Sequence, residues 1–331
     1  MIKKISERKT DPPARITPGE PIVIACSPPD EKRWGFYQFP DMWRAPGGEI
    51  YLAMNVGHDC MIGQHEPSWF FVSRDNGKSW ARIRHEEVDQ SPDIAEFSDG
   101  SQVSFGLTHY IYHVHSYGPY MQPWQWWDFS KLGLKPAFRP LLDSYDGQEW
   151  VMYPYKNIPD SLNPLPMAWR KSRNEAWQRG VAMLDLSGHY AAALSRTWWW
   201  DENDQRIQQD LPQRILRPFP RWGVTVLSDD TLLWPHCVPH PGSERIGHMY
   251  YSLVLFASTD GGRTWRQRAM IANDTDQTTD GYSGEEHSLQ VMPNGGLYCV
   301  MRTEIGDHAD STQYLTASRS SDNGFTWSKP T

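Results

Sequence analysis

An eight-residue turn motif occurs three times in the chain, at residues 73–80, 258–265 and 320–327. Each copy follows the pattern S-x-D-x-G-x-[ST]-W. Its short polar residues and its glycine suit a tight turn, and the final tryptophan can pack back onto a sheet. The copies begin 185 and 62 residues apart. Because the first interval is close to three times the second, we expect two degenerate units between the first and second copies.

The third copy closes the best-formed unit, which spans residues 284–327. Before the motif, alternating runs at 289–292 and 297–301 flank a turn at 293–296, and this pattern is typical of a β-hairpin. A third apolar run at 314–317 leads into the motif. One unit therefore comprises about four strands. Repetition of a four-stranded unit at a fixed period predicts an all-β fold, a β-propeller.

The three motif copies look like the Asp-boxes of the sialidase superfamily. The stretch from Glu286 to Arg302 also resembles the sialidase pattern in which a glutamate opens a strand, a P-[DN]-G turn comes next, and an arginine closes the partner strand. The resemblance implies a six-bladed β-propeller with the boxes on its outer edge, away from the substrate. The boxes therefore indicate the fold rather than the function.

Five blades can be drawn along the chain. Their first two strands fall within residues 39–54, 94–107, 181–194, 224–234 and 289–301. The second blade is interrupted by an aromatic insertion from 110 to about 166. A degenerate copy of its motif follows at 169–177. The third blade is predicted as a hairpin around the Ser187-Gly188 turn.

Residues 1–30 are Pro-rich and polar, and we expect them to form an N-terminal arm whose apolar run at 22–26 supplies an edge strand. We expect residues 31–331 to form one propeller domain. Sialidase-like propellers have six blades, so either the arm and missing sequence build the sixth, or the domain is truncated at its C-terminus.

Net charge and apolar content exclude several classes of function. The net charge is −8 and no basic stripe interrupts it, which argues against nucleic-acid binding. No run of ~18 apolar residues predicts a membrane span, and the basic N-terminus lacks the apolar core of a signal peptide, so we expect a cytoplasmic protein. The four cysteines lie far apart without metal-type pair spacing, which favours reduced thiols.

Polar residues occur where the first strand of each blade starts and the second ends. An antiparallel hairpin brings these two positions together at the end opposite its turn, so residues from every blade should converge on one mouth of the central channel. Concave mouths of this kind are the usual place for a ligand. The candidate substrate-binding residues are Gln38, His58, Arg196, Arg221, His236 and Arg302, and the candidate catalytic residues are Asp59 and Glu286.

The sialidase resemblance suggests roles for four of these residues. Glu286 matches the glutamate that activates a nucleophilic tyrosine, and Arg302 matches one of three arginines that clamp the substrate carboxylate. Asp59 lies in the loop where sialidases keep their acid/base aspartate. Gln38 stands where the first clamp arginine belongs, and it cannot form a charge-assisted bidentate pair with a carboxylate. The tyrosine and the third arginine would lie beyond residue 331.

Three functions remain open at this stage. The first is an exo-acting glycoside hydrolase on an acidic or substituted glycan other than ordinary sialic acid. The second is a propeller polysaccharide lyase in which a histidine and a tyrosine act on uronic-acid glycans. The third is a non-catalytic propeller that binds glycan or oligosaccharide through tryptophan and arginine, which the 13% aromatic content would suit.

Histidine spacing offers a metal alternative that we consider weaker. His109, His113 and His115 lie in one loop, and His236, His240 and His248 lie in another. Such spacings can bind Zn²⁺, although histidines in loops are more often solvated or hydrogen-bonded. We therefore expect neither a metal nor a cofactor.

Overall fold

The structure is a computed structural model. It describes residues 19–31, 37–45, 47–56, 69–84, 87–88, 94–105, 126–128, 133–137, 149–159, 164–200, 206–216, 223–239, 251–273, 287–302 and 315–331. The regular helix among these residues is one 3-10 turn, Tyr155–Asn157. No helix in the described ranges has the length and apolar composition needed to cross a membrane.

The described residues form nineteen β-strands. In chain order they are β1 (Tyr37–Arg44), β2 (Ile50–Val56), β3 (Trp69–Ser73), β4 (Ala81–Ile83), β5 (Ile94–Glu96), β6 (Gln102–Ser104), β7 (Trp126–Asp128), β8 (Glu149–Pro154), β9 (Pro164–Arg170), β10 (Gln178–Leu184), β11 (Tyr190–Trp200), β12 (Arg206–Leu216), β13 (Thr225–Val226), β14 (Leu232–Pro239), β15 (Tyr251–Ser258), β16 (Thr264–Asn273), β17 (His287–Val291), β18 (Leu297–Arg302) and β19 (Leu315–Ser320).

The strands group into five antiparallel blades. Blade 1 has the order β1-β2-β3-β4, blade 2 β5-β6-β9-β10, blade 3 β8-β11-β12-β7, blade 4 β13-β14-β15-β16 and blade 5 β17-β18-β19. Blades 2 and 4 are joined into one eight-stranded sheet, because β10 pairs in parallel with β16. The predicted fold class is confirmed: the described residues are all-β, and their antiparallel strands are grouped in blades as in a β-propeller.

The three motif turns come directly after the third strand of blades 1, 4 and 5, and their hydrogen bonds are nearly identical. In the blade 4 copy, Ser258 Oγ donates to Asp260 Oδ1 (2.7 Å) and accepts from the Gly262 N–H (3.0 Å). Asp260 also accepts from the Thr264 N–H (2.9 Å) and hydroxyl (2.6 Å). Trp265 Nε1 donates to the Gly262 carbonyl at 3.0 Å. The sequence pattern therefore encodes a closed hydrogen-bonded turn.

The motif turns of blades 4 and 5 also pack against another blade. A Cβ placed on Gly324, in the blade 5 turn, would lie 2.5 Å from Leu255 of blade 4. Arg268 of blade 4 donates to the Asn323 carbonyl in the same turn at 2.8 Å. In the blade 4 turn, the Arg263 carbonyl accepts from the Met183 N–H of blade 2 at 2.8 Å. These turns therefore fix how blades pack, as well as closing their own blade.

The degenerate motif copy of blade 2, at residues 169–177, is held by a different network of hydrogen bonds. The turn lies between β9 and β10, as the sequence predicted, but it lacks the serine and aspartate. Glu96 Oε2 accepts instead from Arg173 Nη2 (2.8 Å) and from Gln102 Nε2 (2.5 Å). Gln102 Oε1 in turn accepts from Arg170 Nε at 2.7 Å, and the Arg170 guanidinium lies 4.4 Å from the Trp177 ring centroid. Charge-assisted hydrogen bonds replace the motif's Ser/Asp pair.

The predicted third hairpin is wrong. Ser187-Gly188 does form a turn, in which the His189 N–H donates to the Leu186 carbonyl at 2.9 Å. However, β10 pairs with β9 and β16, whereas β11 pairs with β8 and β12. Blade 3 takes β7 and β8 from the insertion that interrupts blade 2. A local turn signal does not determine which strands pair when apolar runs of similar character compete.

Two apolar cores lie on either side of blade 4. The larger core joins blades 2, 3 and 4 and includes Val103, Val151 and Trp234, which are each at most 1% exposed. The second joins blades 4 and 5 around Leu255 and Leu297. The two faces of blade 4 are both buried, which is why β14 and β15 read as nearly continuous apolar runs.

The edge strand predicted for residues 22–26 is not formed. Ile24 and Ala25 instead pack against the blade 1 core of Leu52 and Phe71 without joining a sheet. The Tyr37 hydroxyl donates to the Cys26 carbonyl at 3.2 Å. This part of the predicted arm is therefore held by packing and a side-chain hydrogen bond.

The packing of the motif turns can be tested with two alanine substitutions. Gly324 and Gly295 both have left-handed φ angles, +86° and +80°, but a Cβ on Gly295 meets nothing within 4 Å. Gly295→Ala should cost about 1–2 kcal/mol from backbone strain alone. Gly324→Ala should cost that amount plus about 1–3 kcal/mol of overpacking against Leu255. Urea unfolding of both variants measures the difference, and equal losses would contradict the proposed inter-blade contact.

Candidate functional site

The first strand of blade 4 contacts the first strands of two other blades. β13 of blade 4 contacts both β5 of blade 2 and β17 of blade 5, as expected if first strands surround the channel. The cross-strand pairs Tyr37–Val56 and His287–Met301 mark the ends of the inner hairpins in blades 1 and 5, opposite their turns, and Gln38–Asn55 is the next pair in blade 1. We call this end of the channel the mouth.

The opposite end carries the inner-hairpin turns, which share one geometry. In four blades the third turn residue has a left-handed φ and its N–H donates back across the turn; the residues are Gly48, Gly100, Asp230 and Gly295. Asp230 is the one of these four residues that is not a glycine, and its φ is +62°. Its carboxylate accepts from the Ser98 N–H (2.8 Å) and hydroxyl (2.5 Å) of blade 2. That bridge favours aspartate at a position that otherwise suits glycine.

In blade 5, the structure describes part of the predicted Glu286–Arg302 pair. Arg302 is the last residue of β18 and pairs in register with Leu315 of β19. Glu286 precedes β17 in sequence and lies outside the described residues. The first residue of β17, His287, has its Nε2 3.0 Å from the Pro235 carbonyl of blade 4. Because a carbonyl only accepts, Nε2 carries the proton and donates, which ties the start of β17 to β14.

In blade 4, His236 lies near the mouth end of β14 and is partly buried. Its ring stacks at a tilt on Trp234, with 4.9 Å between the centroids. Burial lowers the pKa of His236 to about 3, and repulsion from His287 and His189 adds to the effect. The imidazole is therefore neutral near pH 7. It suits a hydrogen bond to a hydroxyl better than an ionic contact with a carboxylate. Arg221 lies outside the described residues.

In blade 1, Gln38 lies on β1 opposite Asn55 of β2. The register shifts between Gln38 and Asp41, so that β1 has one more residue than β2 over this interval and forms a β-bulge. Bulges often occur beside active sites, where they redirect side chains. His58 and Asp59 lie outside the described residues, so their predicted roles stay predictions.

Arg196 does not lie at a strand end as the blade 3 hairpin predicted. β11 continues past it to Trp200, because β11 pairs with β8 and β12 instead of with β10. Its register partners are Glu149 on β8 and Asp210 on β12. Arg196 thus has an acidic residue as its register partner on each neighbouring strand. It was assigned to the mouth because it was expected at a strand end, and that reason no longer holds.

Sequence reasoning missed two histidines near His236. His189 is 6% exposed, and its Nε2 lies 3.0 Å from Gln267 Oε1. Its ring meets the Phe256 ring edge-on at 6.2 Å. No local sequence signal marks His189, because its proximity arises from blades 3 and 4 packing together. His287 could have been suggested by its position directly after Glu286.

The residues that the structure describes include no group of three histidine, cysteine or acidic side chains able to hold a metal ion. The other five histidines of the metal alternative, His109, His113, His115, His240 and His248, lie outside these ranges. Cys26, Cys237 and Cys299 are free thiols. Burial raises the pKa of Cys299 to about 12, so this thiol stays protonated and unreactive.

Comparison with known proteins gives structural likenesses only. No protein-family model matches the chain, and no curated protein sequence matches it. A Dyadobacter fermentans protein of unknown function is similar at 16% identity with a TM-score of 0.45, over 90% of this chain and 70% of that protein. The NanB sialidase of Streptococcus pneumoniae, as its K499G mutant, is similar at 12% identity with a TM-score of 0.36, over 93% and 53%.

A third similar structure is the GH93 α-L-arabinofuranosidase of Fusarium graminearum with arabinobiose. The identity is 14% and the TM-score 0.35, over 90% of this chain and 66% of that enzyme. The chain thus spans about half the length of the pneumococcal sialidase and about two thirds of the arabinofuranosidase.

The neutral state of His236 predicts a specific pH dependence of stability. Its pKa is about 3 in the fold, against 6.5 for an ordinary histidine, so the unfolded chain binds more protons as the pH falls below about 6.5. Stability from this group is therefore present above pH 6.5 and is lost as the pH falls toward 3. His236→Gln should flatten this loss in urea unfolding at pH 7 and pH 4.5. An unchanged pH dependence would show that His236 titrates normally.

Proposed function

We propose that the chain is a carbohydrate-active enzyme resembling sialidases, an exo-acting glycoside hydrolase on an acidic or substituted glycan. The observation that carries this proposal is the matching position of Gln38 and Arg302. Each lies on a strand of an inner hairpin, near the end opposite its turn, in blades 1 and 5. Residues of several blades that meet at one concave mouth suit ligand binding.

Glu286 is the proposed base of the reaction. It precedes β17 directly, and the described His287–Met301 pair is the last rung before Arg302. A carboxylate beside an arginine stays ionised and can accept a proton from a nucleophile. A second carboxylate, for which the sialidase resemblance suggests Asp59, would protonate the leaving oxygen.

Arginine at the mouth supports an acidic substrate. Arg302 and Arg221 can form charge-assisted hydrogen bonds with a carboxylate or another anionic substituent of the sugar. Gln38 takes the place of one clamp arginine, which removes roughly 1.5–3 kcal/mol if that arginine's charged hydrogen bonds were net favourable. The neutral His236 would bind a hydroxyl. This combination favours an acidic or substituted glycan over ordinary sialic acid.

The lyase alternative needs a base that removes a carbon-bound proton beside a uronic carboxylate. Efficient general bases have pKa values near the working pH, whereas the pKa of His236 is about 3. His236 is therefore a poor base for this reaction. The alternative then depends on histidines in the 110–166 insertion or the loop after β14.

The second alternative is a propeller that binds glycan without catalysis. It would use the same arginines and aromatic residues but would not depend on the basicity of Glu286. Binding and turnover must therefore be measured separately to distinguish the two proposals.

The substrate proposal predicts selectivity for charge. Among aryl glycosides of uronic acids, sulfated sugars, neutral sugars and sialic acid, the acidic or substituted sugars other than sialic acid should be hydrolysed fastest. Arg302→Gln should lower kcat/KM on the acidic sugar by about 10–100-fold, since a charged hydrogen bond contributes ~1.5–3 kcal/mol. Efficient hydrolysis of a simple sialoside would contradict the substrate proposal.

Glu286→Gln tests the catalytic role, and Glu285→Gln is the matched control. Strand alternation predicts that Glu285 points to the opposite face from Glu286. Glu286→Gln keeps size and hydrogen bonding but removes basicity, so turnover should fall by about 10²–10⁴-fold while glycan binding persists. Glu285→Gln should leave both unchanged. If turnover on a confirmed substrate survives Glu286→Gln within about tenfold, the assignment is wrong.

A further inference from the structure

Asp41 is an acidic side chain of β1, the first strand of blade 1, that no predicted role accounts for. It is partly buried. Across the sheet it pairs with Ala53, which is 6% exposed, and Ala53 pairs with Phe70, which is 4% exposed. The Asp41 carboxyl therefore shares its row of the sheet with apolar side chains. Burial in such surroundings disfavours the ionised form of a carboxyl group and raises its pKa above the usual range.

The β-bulge places Asp41 relative to the mouth. Gln38 pairs with Asn55 and Asp41 pairs with Ala53, so the two rungs lie two residues apart along β2. At the rise of an antiparallel strand, Asp41 therefore lies about 7 Å below the Gln38–Asn55 pair, on the side away from the mouth. Residues 53 and 55 lie on the same face of β2. The Asp41–Ala53 pair is therefore the next pair below Gln38–Asn55 on that face of the sheet.

The contacts of Asp41 do not explain its burial. Its carboxylate accepts a hydrogen bond from the Met42 backbone, which lowers the pKa but less than burial raises it. Among the residues that the structure describes, no arginine, lysine or histidine forms an ion pair with it. A carboxylate can accept about four hydrogen bonds. Burying an acid with so few partners is costly, and such groups are concentrated at functional sites.

We propose that Asp41 is the general acid of the mouth, with a bound glycan placing its glycosidic oxygen against the Asp41 carboxyl. This proposal rests on the proposed glycosidase function. It assigns to Asp41 the proton donation that the sialidase resemblance suggests for Asp59. A carboxyl group in an apolar setting can keep its proton near neutral pH, as proton donation to a leaving oxygen requires.

The proposed step is a hydrolysis with balanced atoms and charge. As the bond between the anomeric carbon and the glycosidic oxygen breaks, its electron pair stays on the oxygen, which takes the Asp41 proton and leaves as an alcohol. A water molecule supplies hydroxide to the anomeric carbon and gives its proton to Glu286. Transfer of that proton through solvent to Asp41 restores both groups.

The experiment compares leaving groups in three variants of the full chain. The probes are a phenyl and a dinitrophenyl glycoside of a sugar that the wild-type protein hydrolyses. Dinitrophenolate leaves without protonation, so loss of a general acid affects it little. Asp41→Asn should lower kcat/KM at least about 10²-fold on the phenyl glycoside and less than about tenfold on the dinitrophenyl glycoside. Asp59→Asn tests the competing assignment, and Glu49→Gln at the far end of the β1–β2 hairpin is the control.

Two further readouts separate chemistry from structure. The wild-type rate should fall as the pH rises through the pKa of the acid, and Asp41→Asn should remove this alkaline limb. The Tm of Asp41→Asn should be unchanged or raised by about 1–3 °C, because a partly desolvated carboxyl is removed. Asparagine keeps the size of the side chain, so a fall in Tm of more than about 5 °C, or failure to fold, would assign Asp41 a structural role and overturn the proposal.

The remaining outcomes are also decisive. Equal losses on both glycosides, or a loss within about tenfold on the phenyl glycoside, overturn the role of Asp41 and leave the proposed glycosidase function intact. The leaving-group pattern in Asp59→Asn instead of Asp41→Asn assigns the acid to Asp59. A wild-type protein that hydrolyses no aryl glycoside overturns the proposed function, and the role of Asp41 with it.

Discussion

In each motif turn, the aspartate accepts hydrogen bonds from the serine that ends the third strand and from the serine or threonine before the tryptophan. The rest of the fold depends on these hydrogen bonds. Asp260 accepts three hydrogen bonds from Arg263, which precedes β16, and Thr264, the first residue of β16. In the blade 5 copy, the Thr326 hydroxyl and N–H lower the pKa of Asp322 to about 2. In blades 4 and 5, a charged acceptor of this kind holds the motif tryptophan against the core and the turn glycine against another blade. Because blade packing then determines how first strands meet, a turn on the outer edge sets the geometry of the mouth.

The proposed site at the mouth combines neutral groups with one positively charged group. Burial and neighbouring imidazoles keep His236 neutral, and burial favours the protonated form of Asp41. In the proposed site, Arg302 would supply the positive charge. Under the proposed function, neutral hydrogen-bonding groups and one positive charge in the same site would suit a sugar that carries both hydroxyls and one anionic group.

The sequence predicted the parts of the fold that depend on local patterns. The motif turns, the β17–β18 hairpin and the inner turns of blades 1, 2, 4 and 5 arise directly from glycine, aspartate and alternating apolar residues. Blade 3 could not be predicted in this way. Its strands β8 and β11 are distant in sequence and pair through long-range packing, while the local Ser187-Gly188 turn suggested a different partner. For the same reason Gln38 and Arg302 lie in hairpins whose strand pairing the sequence predicted, whereas Arg196 lies within β11, whose pairing it did not predict. Asp41 was missed because its β-bulge is visible only in the pairing of β1 with β2.

The central claim is that inner-strand ends from different blades form one glycan site at the mouth. Hydroxyl-radical footprinting with and without a bound acidic oligosaccharide tests it directly, because histidine, methionine and phenylalanine are oxidised according to their exposure. The account predicts protection of His236 and His287 on glycan binding. Met292, beside the inner turn of blade 5, and Phe325, on the outer edge, are 37% and 61% exposed and should be unaffected. Protection of Met292 or Phe325, with unchanged oxidation of the two histidines, would place the glycan elsewhere and contradict the account.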